Sequence, residues 1–208
     1  MPRITTAHEH AQREKILRAA NNCFGRRGYH QTTIQDICDE AELSKGGLYT
    51  YFRSKEDILG AVVENSVRTT LSEAKAAAAS GRSALHRLDR VAEVTIARLI
   101  SGNSHAASPQ LLLEIWAEAS KNPEIKAQCS RAYDEWRAFL TGLLRDGIAR
   151  GEIKAWVDPD SLAAILLAVF DGLSLQEGIT AAKVRWPEIA TMLRRGLVEG
   201  IIAGETSG

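Results

Sequence analysis

Residues 44–55 have the sequence SKGGLYTYFRSK, which combines two adjacent glycines with lysines, tyrosines and a threonine. In a helix interior each glycine costs about 1 kcal/mol relative to alanine, so Gly46 and Gly47 indicate a use other than helix stability. Glycines let the backbone come close to a ligand, while Tyr hydroxyls and Lys ammonium groups bind phosphates. This combination suits the major groove of DNA, where base edges are read at short range.

Two short helices joined by a tight turn must position this surface, and residues 33–52 have the pattern for them. The residues that would form their small core are apolar and helically spaced: Ile34, Ile37, Cys38, Ala41, Leu43, Leu48 and Phe52. Such a core sets the second helix at an angle to the first, as in a helix-turn-helix. The outward surface then consists of Lys45, Gly46, Gly47, Tyr49 and Thr50. An ordinary helical hairpin is the alternative interpretation.

The charge distribution favours an anionic partner for the N-terminal part. The chain of 208 residues has 26 Lys and Arg and 26 Asp and Glu, and therefore no net charge. Residues 1–55 hold nine basic and six acidic residues, a balance of +3 that leaves −3 for the remainder. A basic segment of this kind attracts polyanions such as nucleic acid.

The sequence argues against several other classes of protein. Cys23, Cys38 and Cys129 have no Cys-x-x-Cys spacing, so we expect a reducing cytoplasm and neither a disulfide framework nor a zinc site. No apolar run approaches the roughly 18 residues of a membrane span, and the N-terminus lacks the apolar core of a signal peptide. Catalytic motifs, phosphate-binding glycine loops and metal-binding helix motifs are absent from the sequence. We therefore expect no enzymatic activity, no cofactor, no metal and no membrane association.

Helical periodicity and helix-start signals predict an all-α fold. Proline follows Ser, Asn or Asp at positions 109, 123 and 159, and Pro187 also stands at a helix start. About nine helices are predicted, near residues 8–27, 33–40, 44–50, 54–80, 84–101, 109–120, 123–151, 159–180 and 187–203. The first three form a DNA-binding domain of residues 1–53, and the others form a larger helical bundle of residues 54–208.

The motifs of the first domain resemble those of TetR-family transcriptional repressors. The resemblance rests on REKIL at residues 13–17, TTIQDI at 32–37, SKGGLYTYF at 44–52 and SKEDIL at 54–59. It implies that Thr33, Lys45, Tyr49, Tyr51 and Lys55 bind phosphates. It also implies that Gly46, Gly47 and Thr50 lie nearest the bases, and Ser44 completes the predicted DNA-binding set.

Two positions depart from the family pattern. Gly47 stands where the family often has a small hydroxyl or a longer polar residue, so base readout from that position is not expected. Glu42 stands where the family usually has a glycine in the turn. If the backbone there requires a positive φ, a residue with a Cβ adds strain.

The remainder of the chain resembles, more loosely, the effector-binding and dimerisation half of BetI-like, choline-responsive repressors. LLLEIWAEA at residues 111–119, the helix of residues 133–150 and Asp171-Gly172 carry this likeness. It implies a homodimer in which the last two helices of each subunit form a four-helix interface. The predicted interface residues are Leu162, Leu166, Val169, Asp171, Leu173, Ile189, Met192, Leu193, Gly196, Leu197 and Gly200.

The same resemblance implies a pocket for an unknown small-molecule effector among the middle helices. The predicted lining residues are Trp116, Trp136, Phe139 and Phe170, with Glu114 as a carboxylate that could hold a cationic effector. The alternative is that these aromatic residues fill the core. Asp171 interrupts an apolar helix, so it either pairs with an Arg or a hydroxyl at the dimer interface or faces the pocket.

The predicted protein is a cytoplasmic, ligand-responsive repressor that binds a palindromic DNA operator as a dimer and is released by its effector. An activator fits the sequence too, because the sign of regulation depends on where the operator lies. From another class, a helical ligand-binding or protein-interaction module with a vestigial DNA head is the alternative.

Overall fold

The computed structural model describes residues 6–100, 108–180, 183–195 and 200. Over these residues the chain forms nine α-helices and no β-strand, which confirms the predicted all-α fold. The helices are α1 (Thr6–Arg27), α2 (Ile34–Glu40), α3 (Lys45–Tyr49), α4 (Lys55–Ala79), α5 (Ala84–Ile100), α6 (Pro109–Ala119), α7 (Pro123–Ala149), α8 (Pro159–Ile179) and α9 (Trp186–Leu193).

The helices begin where side chains can satisfy their first backbone N–H groups. Ser108 Oγ accepts the N–H of Leu111 at 3.2 Å, and Pro109 opens α6. The carboxylate of Asp158 accepts the N–H of Ser161 at 2.7 Å at the start of α8. Both helices therefore start at the predicted residues, because capping removes the cost of unpaired N–H groups.

Reciprocal capping bonds close the starts of α2 and α4, the second in a modified form. At α2, Thr33 Oγ1 accepts the N–H of Asp36 at 3.1 Å, and the Asp36 carboxylate accepts the N–H of Thr33 at 2.8 Å. At α4, Ser54 Oγ accepts the N–H of Asp57 at 3.1 Å, but the Asp57 carboxylate accepts the N–H of Arg53. These reciprocal bonds fix the ends of the helices on either side of α3.

The described residues form two compact units, and each unit is made of separate stretches of the chain. Unit 1 comprises residues 6–69 and 108–131, and unit 2 comprises residues 70–100, 132–180, 183–195 and 200. The borders fall inside α4 and α7, so both helices contribute to both units. This is a division by packing, and the predicted functional division after residue 53 stays a prediction.

Unit 1 has a core drawn from six helices, α1 to α4, α6 and the start of α7. Its fully buried large side chains include Ile16, Phe24, Ile37, Leu48, Phe52, Ile58, Leu59 and Leu111. Cys23 and Cys38 are buried among them, as expected for small core residues. The predicted core of the helix-turn-helix is thus continuous with side chains from α1, α4 and α6.

Unit 2 has a separate core around α7 and α8. Its buried members include Ala74, Ala78, Val91, Leu140, Leu144, Ile153 and Ala163. Trp136 and Phe139 pack against this core as partly buried side chains. Only part of the apolar surface of α8 is therefore buried within its own chain.

One side of α8, which we call the α8 stripe, stays uncovered. Ile165, Ala168, Gly172, Leu175 and Ile179 follow one another at intervals of three or four residues, so they lie on the same side of the helix. Ile179 is 65% exposed, and a Cβ added at Gly172 would meet nothing within 4 Å. By length and composition alone α8 could cross a membrane, with a mean hydropathy of 1.6, but this is weak evidence, because the core helices of soluble proteins pass the same test.

Candidate nucleic-acid interface

The short helix α3 presents a smooth, polar surface. Ser44 precedes it and accepts the N–H of Gly47 at 3.1 Å, while Leu48 is fully buried and anchors the helix. Lys45 and Gly46 are exposed on its outer side. The predicted division between buried and outward residues is therefore present.

The glycines of α3 are not required by packing inside the protein. A Cβ added at Gly46 would meet only Ser44 Oγ, at 4.0 Å, and one added at Gly47 would have its nearest neighbour at 3.4 Å. Both distances are ordinary van der Waals contacts, and neither glycine has a positive φ. Because each glycine weakens the helix without relieving any crowding, its advantage lies outside the chain.

The C-terminal end of α3 is held by α1. Arg13 donates from Nη1 to the carbonyl oxygen of Tyr51 at 3.1 Å, and its guanidinium lies 4.4 Å from the centre of the Phe52 ring. Thr50 Oγ1 donates to the carbonyl oxygen of Gly46 at 3.0 Å. Tyr49 is 52% exposed, so its ring and hydroxyl are available to a ligand.

Thr33, a predicted phosphate contact, is engaged at the start of α2. Its hydroxyl donates to Asp36 Oδ2 at 2.7 Å, and Arg27 forms an ion pair with Asp36 at 2.5 Å. The hydrogen bonds from Thr33 hold the pKa of the Asp36 carboxyl below its ordinary value. The Thr33 side chain remains exposed, and a phosphate there would compete with Asp36 for its hydroxyl.

Lys55, a predicted phosphate contact at the start of α4, lies against the turn between α1 and α2. Lys55 Nζ donates to the carbonyl oxygens of Tyr29 at 2.9 Å and Thr32 at 3.0 Å, with His30 at 3.5 Å. It also lies 4.4 Å from the centre of the Tyr29 ring. Tyr29 itself is buried and donates its hydroxyl to Glu56 at 3.2 Å, and burial raises the pKa of that hydroxyl.

Glu114 of α6, a predicted effector contact, also lies at this turn. Its carboxylate accepts the backbone N–H of Tyr29. One helical turn later, Glu118 Oε1 lies 3.1 Å from His30 Nε2. A Cβ at Gly28, which has a φ of +80°, would approach Glu114 Oε1 to 2.5 Å. The structure thus places both acidic side chains against the α1–α2 turn, whereas the sequence predicted Glu114 as a carboxylate of the effector pocket.

The predicted aromatic lining residues fall into different units. Trp116 belongs to unit 1, whereas Trp136, Phe139 and Phe170 belong to unit 2. Trp136 and Phe139 meet edge to face with centroids 6.1 Å apart, and Phe170 packs on Trp186 at 5.6 Å. Aromatic packing of this kind is what the core-filling alternative describes.

Asp171 interrupts α8, as the sequence indicated, and its partner is a hydroxyl. Tyr133 of α7 donates to Asp171 Oδ2 at 2.7 Å. Burial raises the pKa of the Asp171 carboxyl, and the hydrogen bond from Tyr133 opposes that rise. Tyr133 was not singled out from the sequence, because a tyrosine on a long helix has no local signal for a carboxylate thirty-eight positions away.

The predicted dimer residues differ in their exposure. Met192 on α9 is 68% exposed, while Leu166, Val169, Leu173, Ile189 and Leu193 are half-buried. Leu162 is the exception: it is 6% exposed within unit 2, so its side chain is already used inside the chain. Gly200 is exposed, and Gly196 and Leu197 lie outside the described residues.

Within the part of the chain that the structure describes, no group of three His, Cys, Asp or Glu side chains could hold a metal ion. All three cysteines are free thiols. Burial raises the pKa of each, which keeps the thiols protonated and unreactive.

Comparison with protein families places two models on the chain. The family described as bacterial regulatory proteins, tetR family, matches residues 16–62. The family described as BetI-type transcriptional repressor, C-terminal, matches residues 87–201. The first match contains α2 and α3, and the second extends over more than half of the chain.

Individual proteins agree with these families over most of the chain. The transcriptional regulator UidR of Escherichia coli K12 is 28% identical over 163 residues, which are 77% of this chain and 79% of UidR. GusR of Salmonella enterica is 30% identical with a TM-score of 0.70, covering 93% of this chain and 98% of its own. A transcriptional regulator of Saccharomonospora viridis, solved in complex with choline, is 27% identical with a TM-score of 0.77 and the same coverage.

Proposed function

Because the chain belongs to the TetR family of bacterial regulatory proteins and has a BetI-type C-terminal region, we propose that it is a cytoplasmic, ligand-responsive repressor. It binds a palindromic operator as a homodimer and leaves the DNA when a small molecule binds. The family consists of transcriptional regulators rather than enzymes, and DNA binding through the helix-turn-helix is its common activity.

The open glycine surface of α3 carries this proposal. Gly46 and Gly47 are unnecessary for packing, and without side chains they let the helix backbone approach base edges closely. Phosphate and sugar contacts would surround them and set the register of the helix on the duplex. The proposed contact residues are Thr33, Ser44, Lys45, Gly46, Gly47, Tyr49, Thr50 and Tyr51.

A dimer provides the second recognition helix that a palindrome requires. Two such helices read half-sites about 34 Å apart or at multiples of that distance. The α8 stripe supports this part of the proposal, because it leaves an apolar helix side exposed next to the predicted interface residues Leu166, Val169 and Leu173. Symmetric packing of α8 and α9 against a second copy would bury it.

An organic cation is the effector class that we propose for unit 2. The Asp171 carboxylate is partly buried and follows Phe170 in the chain, and cations bind favourably to carboxylates and aromatic faces. The choline-bound relative supports this class. The effector can release DNA only by its differential affinity for two subunit geometries, typically about 1–3 kcal/mol of coupling.

The experiment that tests the proposal measures binding of the purified protein to the DNA flanking its own gene, by fluorescence anisotropy across a salt series. We expect tight binding that weakens steeply with salt, because phosphate contacts release counterions. In Gly46→Leu the new side chain has room within the protein but blocks close approach, so affinity should fall at least about tenfold.

Gly142→Leu is the matched control. A Cβ at Gly142 of α7 meets nothing within 4 Å, so the same substitution adds the same bulk away from α3. Its DNA affinity should equal that of the wild type. Unchanged affinity in Gly46→Leu would refute a readout through the glycine surface. If the wild type also failed to bind any sequence selected from random DNA, the vestigial-head alternative would replace the proposal.

A further inference from the structure

We propose that Arg53, rather than Lys55, is the cation at the start of α4 that contacts a DNA phosphate, and that Lys55 is a positioning residue for the α1–α2 turn. This inference rests on the proposed function. It differs from what the family resemblance implies for Lys55. The two roles are separable because the environments of the two side chains differ.

The Lys55 ammonium is already occupied. An ammonium group has three N–H donors, and Lys55 directs them at the carbonyl oxygens of Tyr29, Thr32 and His30. The ring of Tyr29 lies against the same nitrogen. A phosphate could draw the ammonium away only by leaving these carbonyl groups without their charged donor, which is unfavourable for partly buried acceptors.

The turn that Lys55 binds leads directly into the helix-turn-helix. Thr32 is buried and bonds back to the carbonyl oxygens of Gly28 at 2.7 Å and Cys23 at 3.2 Å. The next residue, Thr33, caps α2. Lys55 therefore links the first turn of α4 to the start of α2 and acts on the DNA surface through the backbone.

Arg53 has the opposite character. It is exposed, it directly follows the α3 segment, and its backbone N–H is fixed by Asp57 at 2.9 Å. Its guanidinium has no hydrogen-bond or ion-pair partner among the described residues.

Most other cations of this part of the chain already have acceptors. The pairs are Arg13 with the carbonyl of Tyr51, Lys15 with Glu42, Arg26 with Glu40 and Arg27 with Asp36. A free guanidinium beside a recognition helix suits a phosphate, which it can bind with two parallel hydrogen bonds.

Salt dependence separates the two roles. The slope of log affinity against log salt changes by about 0.9 for each phosphate that the protein no longer neutralises. We would measure this slope for Arg53→Met and Lys55→Met, together with the melting temperature without DNA at a fixed protein concentration. Lys126→Met is the control, because this exposed lysine on α7 has no side-chain partner among the described residues.

For Arg53→Met we expect the slope to become shallower by about 0.9 with an unchanged melting temperature. For Lys55→Met we expect the slope to stay as in the wild type, affinity to fall about equally at every salt concentration, and the melting temperature to drop by about 4 °C or more. Lys126→Met should change none of these. A shallower slope with an unchanged melting temperature in Lys55→Met would overturn the inference, as would an unchanged slope in Arg53→Met.

Lys55→Arg keeps the test decisive if Lys55→Met does not fold. It preserves the charge, so a phosphate-binding residue at this position would retain both affinity and melting temperature. The planar guanidinium does not match three carbonyl groups that converge on one nitrogen, so we expect a lower melting temperature. This readout needs no DNA, and it therefore tests Lys55 even if the proposed function fails.

Discussion

At the scale of single residues, Glu42 shows a conflict between residue type and backbone conformation. It has a φ of 49° in the turn between α2 and α3, and it is the one non-glycine residue with positive φ among the described residues. The turn therefore does require a positive φ at Glu42, the condition under which a residue with a Cβ adds strain. Its ion pair with Lys15, at 3.3 Å, involves a side chain that is 84% exposed, so it offsets little of this strain.

Replacing Glu42 with glycine should stabilise the protein. Glycine adopts the left-handed region without the cost of about 1–2 kcal/mol that a Cβ brings, although its greater freedom in the unfolded chain offsets part of the gain. We expect a net gain of roughly 0.5–1 kcal/mol and a rise of about 1–4 °C in the melting temperature, measured by circular dichroism.

Glu42→Ala is the control for removal of the carboxylate. Alanine also removes the ion pair with Lys15, but it keeps the Cβ and therefore the strain. Its melting temperature should equal that of the wild type or lie slightly below it. Equal melting temperatures for the glycine and alanine variants would show that the backbone at Glu42 is not strained.

At the scale of elements, α6 is joined to the start of the helix-turn-helix by charged hydrogen bonds. Leu111 and Ile115 of α6 are buried in the unit 1 core, which fixes the side of the helix that faces α1. Glu114 and Glu118 then reach the turn that follows α1, where Glu114 binds the N–H of Tyr29. A movement of α6 would therefore displace the α1–α2 turn directly, through the bond between Glu114 and Tyr29.

Glu114→Ala should loosen this turn. It removes the acceptor of the Tyr29 N–H, and a hydrogen bond to a charged group contributes about 1.5–3 kcal/mol. Hydrogen–deuterium exchange of the peptide covering residues 25–32, followed by mass spectrometry, should become about tenfold faster or more.

Two other variants are controls for Glu114→Ala. Glu114→Gln keeps an oxygen acceptor at the same place and should exchange more slowly than Glu114→Ala. Glu118→Ala removes contacts with the exposed side chains of His30 and Lys121 and none with the backbone of the turn, so exchange in the turn should change little. Wild-type exchange rates in Glu114→Ala would mean that the turn is held by other contacts.

At the scale of the whole molecule, we expect the uncovered apolar side of α8 to be buried against a partner. The sequence predicted the dimer contacts on Leu162, Leu166, Val169 and Leu173, one helical side that the structure places partly inside unit 2. The α8 stripe lies beside it, one residue away at each turn. The proposed dimer therefore uses α8 rotated toward Ile165, Gly172 and Ile179.

Gly172→Leu should weaken the dimer without harming the subunit. The new side chain has open space within its own chain and improves helix propensity by up to about 1 kcal/mol, but it blocks close approach of a second helix. Sedimentation equilibrium should show a dissociation constant raised at least about tenfold with unchanged helicity.

Gly142→Leu again provides the comparison, because it adds the same bulk in open space on α7. It should dimerise as the wild type does. If Gly172→Leu dimerised equally well, the interface would have to lie elsewhere and the α8 stripe would need another partner.

The division of α3 into buried and outward residues could be predicted from the sequence, whereas the contacts of Lys55 and Glu114 could not. Apolar spacing and capping residues act over three or four positions, so both patterns can be recognised in the sequence. The helices begin where these patterns predict. Lys55 and Glu114 bind backbone groups of Tyr29 that are distant in sequence. Backbone carbonyl and N–H groups are the same in almost every residue. No pattern of side chains in the sequence therefore predicts which of these groups a distant side chain will bind.

By itself the sequence determined the all-α fold, the family, the outward surface of α3 and the departure from the family's turn glycine at Glu42, because each follows from local spacing or from a motif of fixed order. Only the tertiary structure decided which cations are free, which carboxylates hold the α1–α2 turn and which side of α8 stays uncovered. These depend on how distant helices approach one another, since burial and long-range pairing decide whether a charged or apolar side chain is used inside the protein or left for a ligand.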